Sequence, residues 1–62
     1  MLDYIGREIK VGDKVKIIRC IYKNLENKVV KVIPSDNSNK IKVDYDNQWC
    51  GYHNPIDVVK VN

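Results

Sequence analysis

Valine and isoleucine dominate the apolar residues of this sequence. Together they supply 17 of the 62 residues, whereas leucine and methionine supply three and alanine is absent. β-branched side chains lose rotamer freedom in a helix but pack well on a pleated sheet, and alanine is the best helix former. Asparagine, glycine and proline separate the apolar runs, which is typical of turns between short strands. The sequence therefore predicts an all-β protein without a long helix.

The length of the chain predicts one domain over residues 1–62, because domains rarely fall below about 50 residues. A chain this short buries only about 60% of its unfolded surface, so we expect a thin core and no deep cavity. No apolar run approaches the roughly 20 residues that cross a bilayer. The first residues lack the apolar core of a signal peptide, and two cysteines are too few for a disulfide framework. We expect a cytoplasmic protein with reduced thiols.

Alternation of apolar and polar residues predicts five short strands. A turn at Gly12-Asp13 precedes the first strand, and Asp46-Asn47 is expected to form the hairpin turn between the third and fourth. Asn54 is expected to cap a single helical turn that begins at Pro55. The predicted strands span about residues 13–20, 28–33, 41–45, 49–52 and 58–61. The predicted core residues are Val15, Ile17, Val29, Val32, Ile41, Val43, Ile56 and Val59.

Five strands with one helical turn before the last are the plan of a small SH3-like barrel. Within this plan, residues 12–33 resemble a KOW motif, the element shared by NusG-type transcription factors and several ribosomal proteins. The matching residues are Gly12, Asp13 and Val15 in the opening, Tyr22 at the aromatic position, and Lys28, Val29 and Val32 in the second strand. The resemblance extends over about residues 11–61 and implies a five-stranded SH3-like barrel of KOW type.

Four positions depart from the KOW pattern. Cys20, Asn24 and Asn27 stand where glycine is usual, and Ile21 stands where proline is common. Asparagine is the commonest residue after glycine at positive φ. We therefore expect Asn24 and Asn27 to preserve the backbone path, which Cys20 cannot do in the same way.

Positive charge is concentrated in the first half of the chain. Residues 1–31 carry eight lysines or arginines against four acids, whereas residues 32–62 carry three against four. The expected first long loop groups Arg19, Tyr22, Lys23 and Lys28. Basic groups neutralise phosphates and an aromatic ring can stack on a base, so this loop predicts binding to RNA, DNA or a ribonucleoprotein, as KOW relatives do. The alternative is a solvated lysine face, since a net charge of +3 is modest for such a binder.

A second cluster surrounds the third and fourth strands. Its members are Tyr45, Trp49, Tyr52 and His53. Neighbouring residues of a strand point to opposite faces, so these side chains cannot all be core. An exposed ring beside Asp44 and Asp46 can receive a basic or methylated peptide, or anchor a protein interface. The alternative is that Tyr45 and Trp49 close the barrel and Tyr52 lies flat on its surface.

The sequence offers little for catalysis or metal binding. Cys50 and His53 have a Cys-x-x-His spacing, but a structural zinc needs four ligands. His53 has no nucleophile in an ordered segment beside it. We therefore expect no metal, no cofactor and no enzymatic activity.

Two functional hypotheses remain open. In one, a non-catalytic binding module recognises RNA, DNA or a ribonucleoprotein through its basic first loop. In the other, the Tyr45, Trp49 and Tyr52 surface docks on a protein, as an interaction module or as a small inhibitor of a host protein of phage or mobile-element type. Neither hypothesis involves a membrane or a small-molecule substrate. Salt dependence distinguishes them, since phosphate contacts weaken steeply with salt.

Overall fold

The computed structural model of the chain describes residues 1–45 and 49–61. Two 3₁₀ turns, Lys23–Leu25 and Pro55–Asp57, lie among the strands. Both are single turns, too short to span a lipid bilayer. The strands are β1 (Lys14–Ile17), β2 (Val29–Ile33), β3 (Ile41–Tyr45), β4 (Trp49–His53) and β5 (Val58–Lys60).

The five strands form one antiparallel sheet in the order β4-β3-β2-β1-β5. The predicted all-β class, the five strands and the helical turn before the last strand are confirmed. β1 is shorter than predicted, because the ladder ends at Ile17. β4 and β5 are the two edges, and no ladder joins them within residues 1–45 and 49–61. Closure of the sheet into a barrel stays a prediction.

Every second residue of the central strands faces the core. Val15 and Ile17 are buried while Lys14 and Lys16 are exposed, and β3 alternates in the same way. These strands follow the predicted alternation because their apolar residues occupy every second position and therefore point to the same face. Ten buried hydrophobic residues of the described part of the chain form the core: Ile9, Val15, Ile17, Leu25, Val30, Val32, Ile41, Val43, Tyr45 and Val58.

Three predicted core residues are wrong. Val29 is 50% exposed because it lies opposite Lys16 on the outer face, and Val30 takes the inner position. Val59 is only half-buried for the same reason, since Val58 is the inner residue opposite Ile17. Ile56 is 57% exposed on the 3₁₀ turn before β5. In β2 and in β5 two valines are adjacent, so the sequence alone does not indicate which of them faces the core.

The first residues of the chain cover the outer edge of β5. Asp3 is buried, and its carboxylate accepts the backbone N–H groups of Ile5 (3.1 Å), Arg7 (2.8 Å) and Lys60 (2.8 Å). The Tyr4 N–H donates to the Val58 carbonyl at 2.9 Å. Burial raises the pKa of Asp3, but the three N–H groups and the Arg7 charge together outweigh it and lower that pKa below its usual value. The sequence analysis did not identify this role.

The turns agree in part with the expected backbone path. Asn27 has φ +68° and Gly12 has φ +96°, as a left-handed turn requires. Asn24 instead lies inside the 3₁₀ turn Lys23–Leu25. Asn54 precedes the turn that begins at Pro55, but its side chain makes no capping bond. The predicted Asp46-Asn47 hairpin turn lies outside the described residues.

Candidate functional site

A concave surface lies between the loop of residues 18–28 and strand β4. We call it the aromatic groove; its volume is about 330 Å³. This is at the small end of the range for ligand sites, about 300–1,000 Å³. Three of its lining residues carry a formal charge, and most of the others are aromatic or apolar. The lining residues are Arg19, Cys20, Ile21, Tyr22, Leu25, Lys40, Tyr45, Trp49, Gly51, Tyr52, His53, Asn54 and Asp57.

The floor of the groove is built by Tyr45 and His53. Both side chains are buried, and the Tyr45 hydroxyl is hydrogen-bonded to Nε2 of His53. The Tyr45 ring lies across Gly51, where an added Cβ would come within 2.9 Å of Cε2. Because glycine has no Cβ, the Tyr45 ring can occupy this space.

Exposed aromatic rings form the rim of the groove. Trp49 lies opposite Tyr45 in the ladder, with 4.4 Å between the ring centroids, yet it remains 57% exposed. Tyr22 lines the groove from the loop side and is 62% exposed. Tyr52 is also exposed, and its hydroxyl donates a hydrogen bond to Asp36. The rim offers large apolar surfaces that the domain itself does not cover.

The cations of the first loop have partners within the chain. The Arg19 guanidinium lies 2.7 Å from the Asp57 carboxylate and also donates to it through Nε at 2.8 Å. Lys23 lies 3.6 Å from Glu26. At the groove, Arg19 is therefore paired with an acid. Lys40, the other cation among the lining residues, donates to the Asn54 side-chain oxygen at 3.1 Å.

Burial is the main cause of the pKa shifts of the two floor residues, His53 and Tyr45. Burial lowers the pKa of His53, Lys40 acts in the same direction, and Asp57 opposes them. Burial also raises the pKa of Tyr45, with smaller contributions from Cys20 and Cys50. Both shifts favour the neutral forms. The floor of the groove is thus uncharged at neutral pH.

The groove unites residues that the sequence analysis assigned to two separate sites. Tyr45, Trp49, Tyr52 and His53 all line it, as do Arg19 and Tyr22. Lys23 and Lys28 are not among its lining residues. The fold thus splits the proposed basic set and keeps the aromatic set together.

Sequence reasoning missed Ile21, Leu25 and Asp57. The carbonyl of Asp57 accepts the backbone N–H groups of Ile18 and Arg19 at 2.9 and 3.3 Å, which joins the turn before β5 to the first loop. The apolar and aromatic residues Cys20, Ile21 and Tyr22, which follow one another just after the first strand, are a sequence signal that could have indicated this surface.

Cys50 and His53 do not form a metal site together. Residues three apart on a strand point to opposite faces, and Cys50 is exposed while His53 is buried. No three His, Cys, Asp or Glu side chains are grouped for a metal in the described part of the chain.

Sheet and groove together define a small all-β domain with an aromatic surface groove. Residues 1–61 match the model of the family described as domain of unknown function DUF7205, so the chain belongs to that family. The comparisons with curated proteins and with solved structures give no match.

Proposed function

We propose that this domain is a non-catalytic protein-binding module, and that the aromatic groove holds the partner. The observation that carries the proposal is the exposure of Tyr22 and Trp49 on the rim of one concave surface. Large aromatic side chains dominate the binding energy of protein interfaces when they fill pockets at the centre. The proposed partner is a host protein that this domain inhibits or modulates.

The charges around the groove favour protein over nucleic acid. Arg19 pairs with Asp57 and Lys23 with Glu26, so each gives up an ion pair if it is to contact a phosphate. Nucleic-acid binding draws its affinity from such phosphate contacts. A largely aromatic and apolar surface, whose charged lining residues are two cations and one acid, fits a polypeptide better. The KOW resemblance supports the fold and leaves the type of partner open.

The chemistry of the groove supports a role without catalysis. His53 is the obvious base, yet its Nε2 is hydrogen-bonded to Tyr45 on the buried floor. A general base needs reach to the proton that it removes. We therefore assign His53 to holding the floor in place.

Selection of peptides from a random display library tests the proposal. We expect the native domain to enrich a family of peptides, and Trp49→Ala or Tyr22→Ala to weaken the selected peptides by about 2 kcal/mol, roughly thirtyfold in Kd. Tyr4→Ala is the matched control, because Tyr4 is 61% exposed but does not line the groove. Kd values from fluorescence titration measure the effect.

A titration with nucleic acid gives the opposing outcome. Mixed single-stranded RNA and duplex DNA are added to the isotope-labelled domain at low and at physiological salt. Amide shifts at Arg19, Tyr22, Lys23 and Lys28 that shrink as salt rises would identify a nucleic-acid interface and refute our proposal.

A further inference from the structure

The two edge strands of the sheet differ in the hydrogen bonds that other segments of the chain make to them. On β5, the Val58 carbonyl accepts the Tyr4 N–H, the Lys60 N–H donates to Asp3, and the Lys60 carbonyl accepts the Arg7 guanidinium. On β4, the backbone bonds among the described residues all run to β3. Within residues 1–45 and 49–61, other backbone and side-chain groups thus bond to the outer edge of β5 but not to that of β4.

Strand β4 also lacks the features that usually protect an open edge. Native edges are blunted by lysine, proline, inward charges or a covering segment. β4 reads Trp49-Cys-Gly-Tyr-His53, which contains no lysine, proline or acid. Trp49, Gly51, Tyr52 and His53 of the same strand line the aromatic groove. The open edge and the exposed rings are therefore parts of one continuous surface.

We infer that β4 is a docking edge, which accepts as an added strand an extended segment of a partner protein whose apolar side chains alternate with acidic ones. The inference rests on the proposed protein-binding function and specifies how the partner is held. Main-chain bonds to β4 provide affinity, and the alternate side chains provide specificity.

The two faces beside β4 determine which side chains fit. On the inner face, an added strand lies beside Trp49 and the groove, so every second residue must be apolar. On the outer face it lies beside Tyr52, which borders the groove from the outer side of the strand and pairs with Lys42 in the ladder. The Tyr52 ring centroid is 5.5 Å from the Lys42 ammonium. The outer-facing charged residues of β1, β2 and β3 are Lys14, Lys16, Lys31, Lys42 and Asp44. Of these, only Lys42 and Asp44 lie on β3, the strand next to β4, and Asp36 accepts the Tyr52 hydroxyl. Lys42 is therefore the cation that an acidic side chain of the added strand can pair with.

The same charges disfavour a second copy of the chain as the occupant. Pairing of β4 with β4 of another copy would make one continuous sheet, which joins two lysine-rich outer faces. Each chain carries a net charge of +3. Like charges brought together across an interface oppose association.

A synthetic peptide that alternates valine with glutamate over about ten residues tests the inference, since strands reach that length. We expect amide shifts and slower hydrogen exchange at every second residue of β4, because alternate N–H groups of an antiparallel strand point away from its partner. A peptide that alternates valine with lysine is expected to bind at least about tenfold more weakly.

Backbone methylation of the peptide separates strand addition from simple filling of the groove. One version carries N-methyl groups on its valines and the other on its glutamates. Only one edge of the peptide can pair with β4, so one version should lose at least about tenfold in affinity and the other should not. Equal binding by both versions would overturn the inference.

Charge reversal at Lys42 tests the outer face. Lys42→Glu should weaken the valine–glutamate peptide about fivefold or more. Lys10→Glu is the matched control, because it changes the net charge equally and lies outside both β4 and the groove. Equal losses for the two variants would contradict a local role for Lys42.

The remaining outcomes separate this inference from the proposed function. Failure of the valine–glutamate peptide, with library-selected peptides still dependent on Trp49, would overturn the docking edge and leave the protein-binding proposal intact. Failure of both peptide sets would overturn both. Slow exchange of β4 amides in the protein alone, together with dimers in sedimentation, would assign the edge to a second copy and overturn the inference.

Discussion

At the scale of single residues, Asp3 joins the two ends of the described chain. Its buried carboxylate accepts N–H groups from its own turn and from Lys60, fifty-seven positions away. A charged acceptor makes each of these bonds stronger than a neutral one. The side chain therefore stabilises the fold more than its place near the start of the sequence suggests.

We predict that Asp3→Asn destabilises the domain by about 1–3 kcal/mol, because an amide offers one acceptor oxygen and no charge. Urea unfolding measures the loss. The folded-state pKa of Asp3 lies below its ordinary value of 3.8. Its stabilisation is therefore complete above 3.8 and is lost as pH falls through the folded-state pKa. Glu8→Gln is the control, because the side chain of Glu8 is exposed and pairs with the N-terminal ammonium group at 3.3 Å. It should change stability by less than about 1 kcal/mol.

His53 should also make the free energy of unfolding depend on pH, but at a higher pH than Asp3 does. Its pKa in the fold lies below the ordinary 6.5, chiefly because it is buried. The unfolded chain then binds the proton more readily, so stability falls as pH drops through 6.5 and levels off below the folded-state pKa. The free energy of unfolding should decline between about pH 7.5 and 5.5 in the native protein but not in His53→Gln. Parallel profiles would show that other groups cause the decline.

At the scale of elements, β4 depends on a glycine. An ideal Cβ on Gly51 would lie 2.8 Å from the Tyr45 hydroxyl oxygen and 2.9 Å from Cε2. These distances are too short for real contacts, so the ring of Tyr45 would have to move. Its hydrogen bond to His53 would move with it.

Gly51→Ala is therefore predicted to destabilise the domain by about 1–3 kcal/mol, the usual range for overpacking a core. Tyr45→Phe in the same chain should recover part of the loss, since it removes the hydroxyl and leaves the ring. Cys50→Ala, on the exposed face of the same strand, should change stability by less than about 0.5 kcal/mol. Thermal unfolding compares the variants. No recovery in the double variant would assign the clash to the ring carbons alone.

The sequence predicts elements well where polar residues separate the apolar ones. β3 reads Ile-Lys-Val-Asp-Tyr, and its alternation alone indicates the buried face. β2 begins with Val29 and Val30, and composition gives no reason to choose between them. The choice is made by pairing with β1, where Val30 lies opposite Val15. Register is a tertiary property, so a single strand cannot reveal it.

At the scale of the whole molecule, the candidate site is formed by residues that are far apart in the sequence and close together in the fold. Arg19 and Tyr22 precede Trp49 by more than twenty positions, and the fold brings them to one groove. Residue types predicted that these aromatic side chains are not all buried, but not which ones: Tyr45 and His53 are buried, whereas Trp49 and Tyr52 are exposed. Residue types could not predict that the two sets share one surface, or that Asp57 neutralises Arg19, because both depend on the packing of the turn before β5.

The first segment of the chain should be required for a stable and monomeric sheet. Deletion of residues 1–7 removes the bonds that Asp3, Tyr4 and Arg7 make to β5. We predict a loss of at least about 3 kcal/mol in urea unfolding, consistent with two hydrogen bonds that involve a charged group and one neutral hydrogen bond.

The shortened chain should also associate in sedimentation, since it exposes a second open edge. If it does not fold, the intact protein still provides the test, because the Lys60 amide should exchange as slowly as the amides of β1. Rapid exchange at Lys60, or an unchanged urea midpoint after the deletion, would mean that the segment only rests on the sheet. In that case neither edge would be protected by the chain, and the difference between β4 and β5 would no longer support a docking edge at β4.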